Sequence, residues 1–420
     1  MQEPRYLSEF VPPLRLLMGA GPVNVHPRVS RAMSAPLVTH LDPAFADALD
    51  DVRTMLRLVF RTENELTWPI AGTGTASMEA ALAAVLEPGD KLVAGTNGAF
   101  TRRAGEVARA LGADVIEVSE AFGAPVDPEA IRRELARHEQ VKAVIICHGE
   151  TSTGVLTPLV ELARVAHEAD ALFIVDAVTT LGGVELLVDE WEIDVCFSAT
   201  QKCLGCPPGL GPITLSQRAI EAMADRQTPV AGFYLNVGHL GNYFRKGAYH
   251  HTAPVPMIYA LREALRIVLE EGLEERWRRH SVNAAALRAG LRAIGLELCA
   301  AEGYQLPSLT TARVPDFVDG PAVRQFLLDE HGIEIVGGLG DQAKTIWRIG
   351  LMGYNSTSRD VATLLVGLEE ALAAQGFEFP PGAGLAAARD VLRQEQVRPE
   401  SAGAQPEEAA SRQTDRPASE

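Results

Sequence analysis

The sequence predicts an α/β protein: a large domain built on a mostly parallel central sheet, followed by a smaller α+β domain. Three observations carry that expectation. Between about residues 66 and 215, short apolar runs alternate with amphipathic segments, the pattern of strands joined by crossover helices. Two of the runs, Ala143 to Cys147 and Ala171 to Val175, are apolar throughout, as in strands covered on both faces. A length of 420 residues with 47% hydrophobic composition leaves ample material for a core.

Taken in order, Leu66 to Ile70 reads as a strand and Thr75 to Leu86, rich in alanine, as the helix after it. The turn Pro88-Gly89-Asp90 leads into a strand over Lys91 to Ala94. A further strand, Asp114 to Val118, precedes Asp127-Pro128-Glu129, where the aspartate caps a helix and the proline fits its first turn. Asp194 to Ser198 is the last strand before a lysine. Helices over Pro256 to Glu270 and Leu273 to Ile294 carry the chain out of the large domain. The segment from about 296 to 378 then mixes strands such as Thr310 to Val314 with helices such as Pro321 to Glu330. The expected division is an N-terminal arm (1–20), a large domain (21–280), a small domain (281–380) and a disordered tail (381–420). The tail ends in Val397 to Glu420, which is too poor in large apolar residues to offset its ordering entropy.

Composition excludes several classes. A formal charge of -17 argues against a nucleic-acid partner, since phosphate backbones recruit basic faces. No stretch reaches the roughly 18 apolar residues of a membrane helix, and the start has no basic segment leading into an apolar one, so the expected address is the cytoplasm. Five cysteines do not make a disulfide framework. Cys203 and Cys206 form a C-x-x-C, but no second pair or His-x-His completes a zinc site. They read as small residues packed behind the lysine, and no metal is expected.

The chemistry centres on Lys202. Of five lysines, those at 91, 142, 246 and 344 read as solvated, whereas Lys202 follows directly on a strand-like run. Asp176 ends an earlier one, Leu172-Phe-Ile-Val-Asp176, and a carboxylate at a buried strand end needs a partner. Such a lysine and carboxylate suit pyridoxal phosphate, the first as Schiff-base nucleophile and the second facing the pyridinium nitrogen. An aspartate capping the next segment is the plainer alternative. Ala71-Gly72-Thr73-Gly74-Thr75, between a strand and a helix, suits a phosphate: glycines let amides approach, hydroxyls donate, and the helix start adds positive partial charge. It is not a Walker A loop or a complete G-x-G-x-x-G. Phe100, in Asn97-Gly98-Ala99-Phe100, is placed to stack on a flat cofactor or to join the core. In His148-Gly-Glu-Thr-Ser-Thr-Gly154, Thr151 is a candidate donor to the cofactor ring oxygen, while His148 and Glu150 stay open between site and scaffold. Arg348 lies in an apolar run, where a substrate carboxylate or an internal salt bridge would balance its charge.

With these motifs in place, the chain resembles the class V aminotransferases of fold type I, and among them the alanine-glyoxylate and serine-pyruvate family. The likeness spans about residues 15 to 375. It also rests on Gly19-Ala-Gly-Pro22, Leu86-Glu-Pro-Gly-Asp90, Val175-Asp-Ala-Val178, Thr200-Gln-Lys202, Pro207-Pro-Gly209, Tyr249-His-His-Thr252, Gly337-Gly-Leu-Gly340 and Arg348-Ile-Gly350. The resemblance implies that Lys202 carries the cofactor and Asp176 pairs with its ring nitrogen. It assigns the phosphate to Thr73, Gly74, Thr75 and Gln201 of one subunit and to Tyr249 and Thr252 of the other, making a homodimer with shared sites. Arg348, helped by backbone near Gly21, would clamp the α-carboxylate, and Thr151 would meet the ring oxygen. Phe100 stands where well-known members carry Trp, and Thr75 where His is frequent. The implied reaction moves an amino group from alanine or serine to glyoxylate, giving glycine. The rivals are a ureidoglycine-glyoxylate aminotransferase and a class V lyase or cysteine desulfurase. A desulfurase needs a cysteine on a mobile loop, whereas Cys299 sits in a strand-like setting. A pyridoxal-binding regulator would need a DNA-binding module, for which there is no room before residue 15.

Overall fold

The alternating runs form a seven-stranded sheet in a computed structural model that describes residues 6, 8–246 and 249–397. Its strands lie in the order Leu66–Ala71, Leu210–Leu215, Val195–Phe197, Leu172–Asp176, Val141–Cys147, Lys91–Thr96 and Asp114–Ser119. All neighbours run parallel except Leu210–Leu215, which is antiparallel to both of its partners. Helices cover both faces. One layer buries Phe45, Leu56, Phe60 and Ile131 against Phe173 and Val175, and the other buries Met78, Leu82 and Trp68 against Ile174 and Phe197. The two-sided burial explains why Val141–Cys147 and Leu172–Asp176 read as unbroken apolar runs.

Local signals hold at the helix starts. Asp127 accepts the Glu129 N–H at 3.0 Å, with Pro128 at the first position of helix Pro128–Arg137. Among the described residues, no helix is long and apolar enough to cross a membrane.

A second sheet joins Leu309–Arg313, Ile346–Gly350 and Val336–Gly337, with Thr311 and Val336 both in register with Arg348. Its core, around Trp347, Ile349 and Leu364, also holds Met18. The stretch from Leu16 therefore belongs to this layer: Leu16–Leu17 pairs in parallel with Ile333–Glu334, and Gly350 N donates to Met18 O at 2.7 Å. A Cβ on Gly350 would lie 1.9 Å from Gly19 O, so only glycine lets the two backbones touch. This clamp sets the position of Ala20 and Gly21. The long helix Leu273–Ala293 runs unbroken past residue 280.

The expected disordered tail from 381 is corrected in its first part. Residues Ala383–Val397 form a helix packed on Leu273–Ala293, with Ala388 buried. Gly290 permits the approach, since a Cβ there would meet Gly384 O at 2.9 Å. Glu369 supplies the missing cap, its carboxylate accepting Gly382 N at 2.8 Å and Gly384 N at 2.9 Å. The rest of that expectation, beyond residue 397, lies outside the described residues.

Candidate active site

Asp176 is placed by strand register. It ends its strand level with Cys147 on one side and Phe197 on the other, at the carboxyl edge where parallel sheets put their ligands. Its side chain is buried and accepts the Val178 N–H at 2.9 Å. Burial, which penalises the charged form, pushes its carboxyl up to about 7, with that amide and the nearby Lys202 and Arg103 opposing. Among the described residues this carboxylate forms no ion pair.

Lys202 lines the same cavity, whose volume is about 180 Å³. Burial lowers its ammonium to about 8, and Nζ donates to the Ala20 carbonyl oxygen. Gly21 sits directly against it: its φ is +89°, and a Cβ would fall 2.7 Å from Lys202 Cδ and 2.8 Å from Nζ. A side chain at 21 would collide with the nucleophile and force a left-handed backbone on an unsuited residue. Cys203 and Cys206 are buried free thiols behind the lysine. Cys203 Sγ donates to Thr179 O at 3.2 Å, and burial raises its thiol to about 11. The packing reading of the pair stands.

The segment after Cys147 divides its labour. His148 is scaffold: its Nδ1 lies 3.0 Å from Thr180 Oγ1, its ring meets Trp191 edge-on, and burial drops its pKa to about 3. Glu150, fully buried, accepts Ser152 N at 2.8 Å and Phe100 N at 2.9 Å, and Ser152 Oγ accepts Ala99 N at 2.9 Å. Two side chains distant in sequence thus cap helix Ala99–Ala110, whose own N-cap residue, Gly98, carries no capping group. Gly98 must be glycine, because a Cβ would lie 2.2 Å from Glu150 Cγ. The result is a Phe100 ring held on the cavity wall.

Two buried polar atoms test whether a cofactor fits, one on Gln201 in the cavity lining and one on Thr151, which stands outside that lining. Thr151 Oγ1 and Gln201 Oε1 have no hydrogen-bond partner among the described residues, although buried polar atoms nearly always find one. Thr73, Gly74 and Thr75 line the cavity at the start of helix Gly74–Val85, and Thr73 spends no side-chain bond on capping it. An anionic group at the helix start, a ring against Phe100, an oxygen near Thr151 and a protonated ring nitrogen beside Asp176 answer these needs together. Pyridoxal phosphate has all four.

Arg348 lies outside this lining. It is buried, its Nε donates to Gly337 O at 2.7 Å, and burial lowers its pKa against the pull of Glu150. Among the described residues no carboxylate pairs with it, so the internal salt bridge is not formed. Tyr249 and Thr252 are exposed and also stand apart from the cavity, their hydroxyls 3.4 Å from each other. Cys299 is buried beside the bridge of Leu298 to Ala312, with its N–H bonded to Thr311 O, and burial raises its thiol. That is no mobile nucleophile. Sequence reading missed Arg103, which lines the cavity with its guanidinium 5.3 Å from the centre of the Phe100 ring. Helical spacing was the available signal, because residues three apart share a face.

Fold and site together define a pyridoxal phosphate-dependent enzyme of fold type I. The family model described as Aminotransferase class-V matches residues 28–364. The chain is 41% identical to the (S)-ureidoglycine--glyoxylate transaminase of Bacillus subtilis, over 91% of this chain and 96% of that one. It is 38% identical to the alanine--glyoxylate aminotransferase of Callithrix jacchus, over 86% and 88% respectively. The solved alanine--glyoxylate aminotransferase of Nostoc sp. superposes with a TM-score of 0.85 at 46% identity, covering 87% of this chain and 97% of its own. The protein belongs to the class V aminotransferases, and it is an aminotransferase.

Proposed function

We propose that this aminotransferase passes the amino group of a small amino acid, alanine or serine, to glyoxylate, giving glycine and the donor's keto acid. The carrying observation is that glyoxylate stands in the names of all three relatives above, each alike over most of its length.

When bound, pyridoxal phosphate supplies the electron sink for the electrons left as the α-proton departs. Asp176 keeps a proton on its ring nitrogen; a cation there offsets the burial that otherwise drives the carboxyl up. Lys202 Nζ would hold the cofactor covalently and, when free, would carry the proton away from the substrate's α-carbon. A pKa lowered towards neutrality suits that base role. Thr73, Gly74, Thr75 and Gln201 would hold the phosphate, Phe100 would face the ring and Thr151 would donate to the ring oxygen. Arg348, with two guanidinium nitrogens unspoken for among the described residues, clamps the substrate carboxylate beside the Gly21 backbone. Tyr249 and Thr252, exposed in the single chain, serve the site of a second copy, so the working form is a two-fold dimer.

The Bacillus subtilis relative favours a second reading, ureidoglycine as donor to the same acceptor. The experiment follows the visible band of the purified enzyme on adding alanine, serine or (S)-ureidoglycine, then glyoxylate, and measures glycine. Alanine or serine should bleach the band and glyoxylate restore it. Response to ureidoglycine alone would transfer the assignment to the second reading, and no restoration by glyoxylate would sink both.

A further inference from the structure

The phosphate seat proposed above contains hydroxyls, amides and a helix start but no cation. A phosphate monoester carries close to two negative charges at neutral pH, while a helix N-terminus offers only about half a positive one. The cavity lining holds two basic side chains, Lys202 and Arg103. Lys202 is taken by bonding to the cofactor. Arg103 has no hydrogen bond or ion pair with any described residue and keeps its full fork of donors. It lies one turn along helix Ala99–Ala110 from Phe100 and lines the same cavity as Thr73 and Thr75. A planar guanidinium matches phosphate oxygens in two parallel hydrogen bonds.

We infer that Arg103 is the cation that meets the cofactor's phosphate, swinging from over the Phe100 ring to do so. The inference rests on the phosphate seat at Thr73 to Thr75. It makes Arg103 a determinant of cofactor retention, whose partner is the phosphate and not the ring.

The test compares cofactor affinity, read by absorbance and fluorescence titration of the full-length protein stripped of cofactor, for pyridoxal phosphate and for pyridoxal. Arg103 is exposed, so Arg103→Gln should fold; the melting temperature of the stripped protein checks it. The expected result is at least a tenfold loss of affinity for pyridoxal phosphate in Arg103→Gln, no more than a twofold change for pyridoxal, and partial recovery in Arg103→Lys. Equal loss for both ligands would overturn the inference, because Arg103 would then be bracing the Phe100 ring. No loss for either would also overturn it. If the unaltered protein binds the two ligands equally well, the phosphate seat itself is misplaced, a failure distinct from that of Arg103.

Discussion

The carboxylate of Glu150 accepts the backbone N–H of Phe100 at 2.9 Å while its other oxygen holds Ser152 N at 2.8 Å. One buried side chain thereby ties the loop after Val141–Cys147 to the start of the helix that carries the aromatic ring. Removing it leaves two buried amides unsatisfied, each costing about 1–3 kcal/mol. Glu150→Ala is therefore expected to loosen Phe100. The visible circular dichroism of the bound cofactor should fall and cofactor affinity should drop about tenfold, with Glu150→Gln recovering part of both. An unchanged dichroic band in Glu150→Ala would show that the ring is positioned by other contacts.

Lys202 is expected to carry the cofactor covalently. Borohydride reduction followed by peptide mapping should find the pyridoxyl label on Lys202 alone, and Lys202→Ala should fold without taking the label. Label on any other lysine would refute the assignment.

Asp176 links catalysis to stability. In the cofactor-free chain its folded pKa, about 7, lies above the unfolded value of 3.8. The folded form then binds more protons between those values, so the stability contribution is fully present below pH 3.8 and is lost as pH rises through 7. The cost above pH 7 is on the order of a few kcal/mol. Asp176→Asn removes it: the melting temperature of the stripped variant should exceed that of the parent at pH 8 by more than at pH 5. Turnover should fall by roughly 10²-fold or more, because the ring nitrogen loses its carboxylate. Near-normal turnover, or a melting difference independent of pH, would contradict the pairing.

Arg348 presents a fork to a group that amino acid and keto acid share. Arg348→Lys should weaken alanine, serine and glyoxylate alike while leaving cofactor absorbance unchanged. Kinetics in which a single substrate suffers, or none, would mark it as a scaffold residue.

The helix Ala383–Val397 should contribute to stability. Ending the chain at residue 381 exposes the apolar surface around Ala388, Leu365 and Leu291 and should cost on the order of a few kcal/mol, seen as a lower melting temperature. Ending it at 397 keeps the helix and should change neither stability nor activity. Equal melting temperatures for the two truncations would show that the helix contributes nothing.

The parallel sheet, the strand-end position of Asp176, Lys202 on the loop after a strand, and the start of helix Gly74–Val85 were legible in the sequence. Each is written in contiguous residues: apolar runs bounded by turn formers, a polar residue at a run's end, glycines before an alanine-rich stretch. Tertiary structure alone decided the rest. It made Glu150 and His148 scaffold, gave helix Ala99–Ala110 its caps from Glu150 and Ser152, and gave helix Ala383–Val397 its cap from Glu369. It placed the Gly19 to Gly21 backbone against Gly350 and Lys202 and left Arg103 facing the cavity. The physical reason is common to all of these. Periodicity reports which face of an element is buried, whereas a hydrogen bond or steric contact between residues far apart in the chain depends on how elements meet, and no local pattern records that meeting.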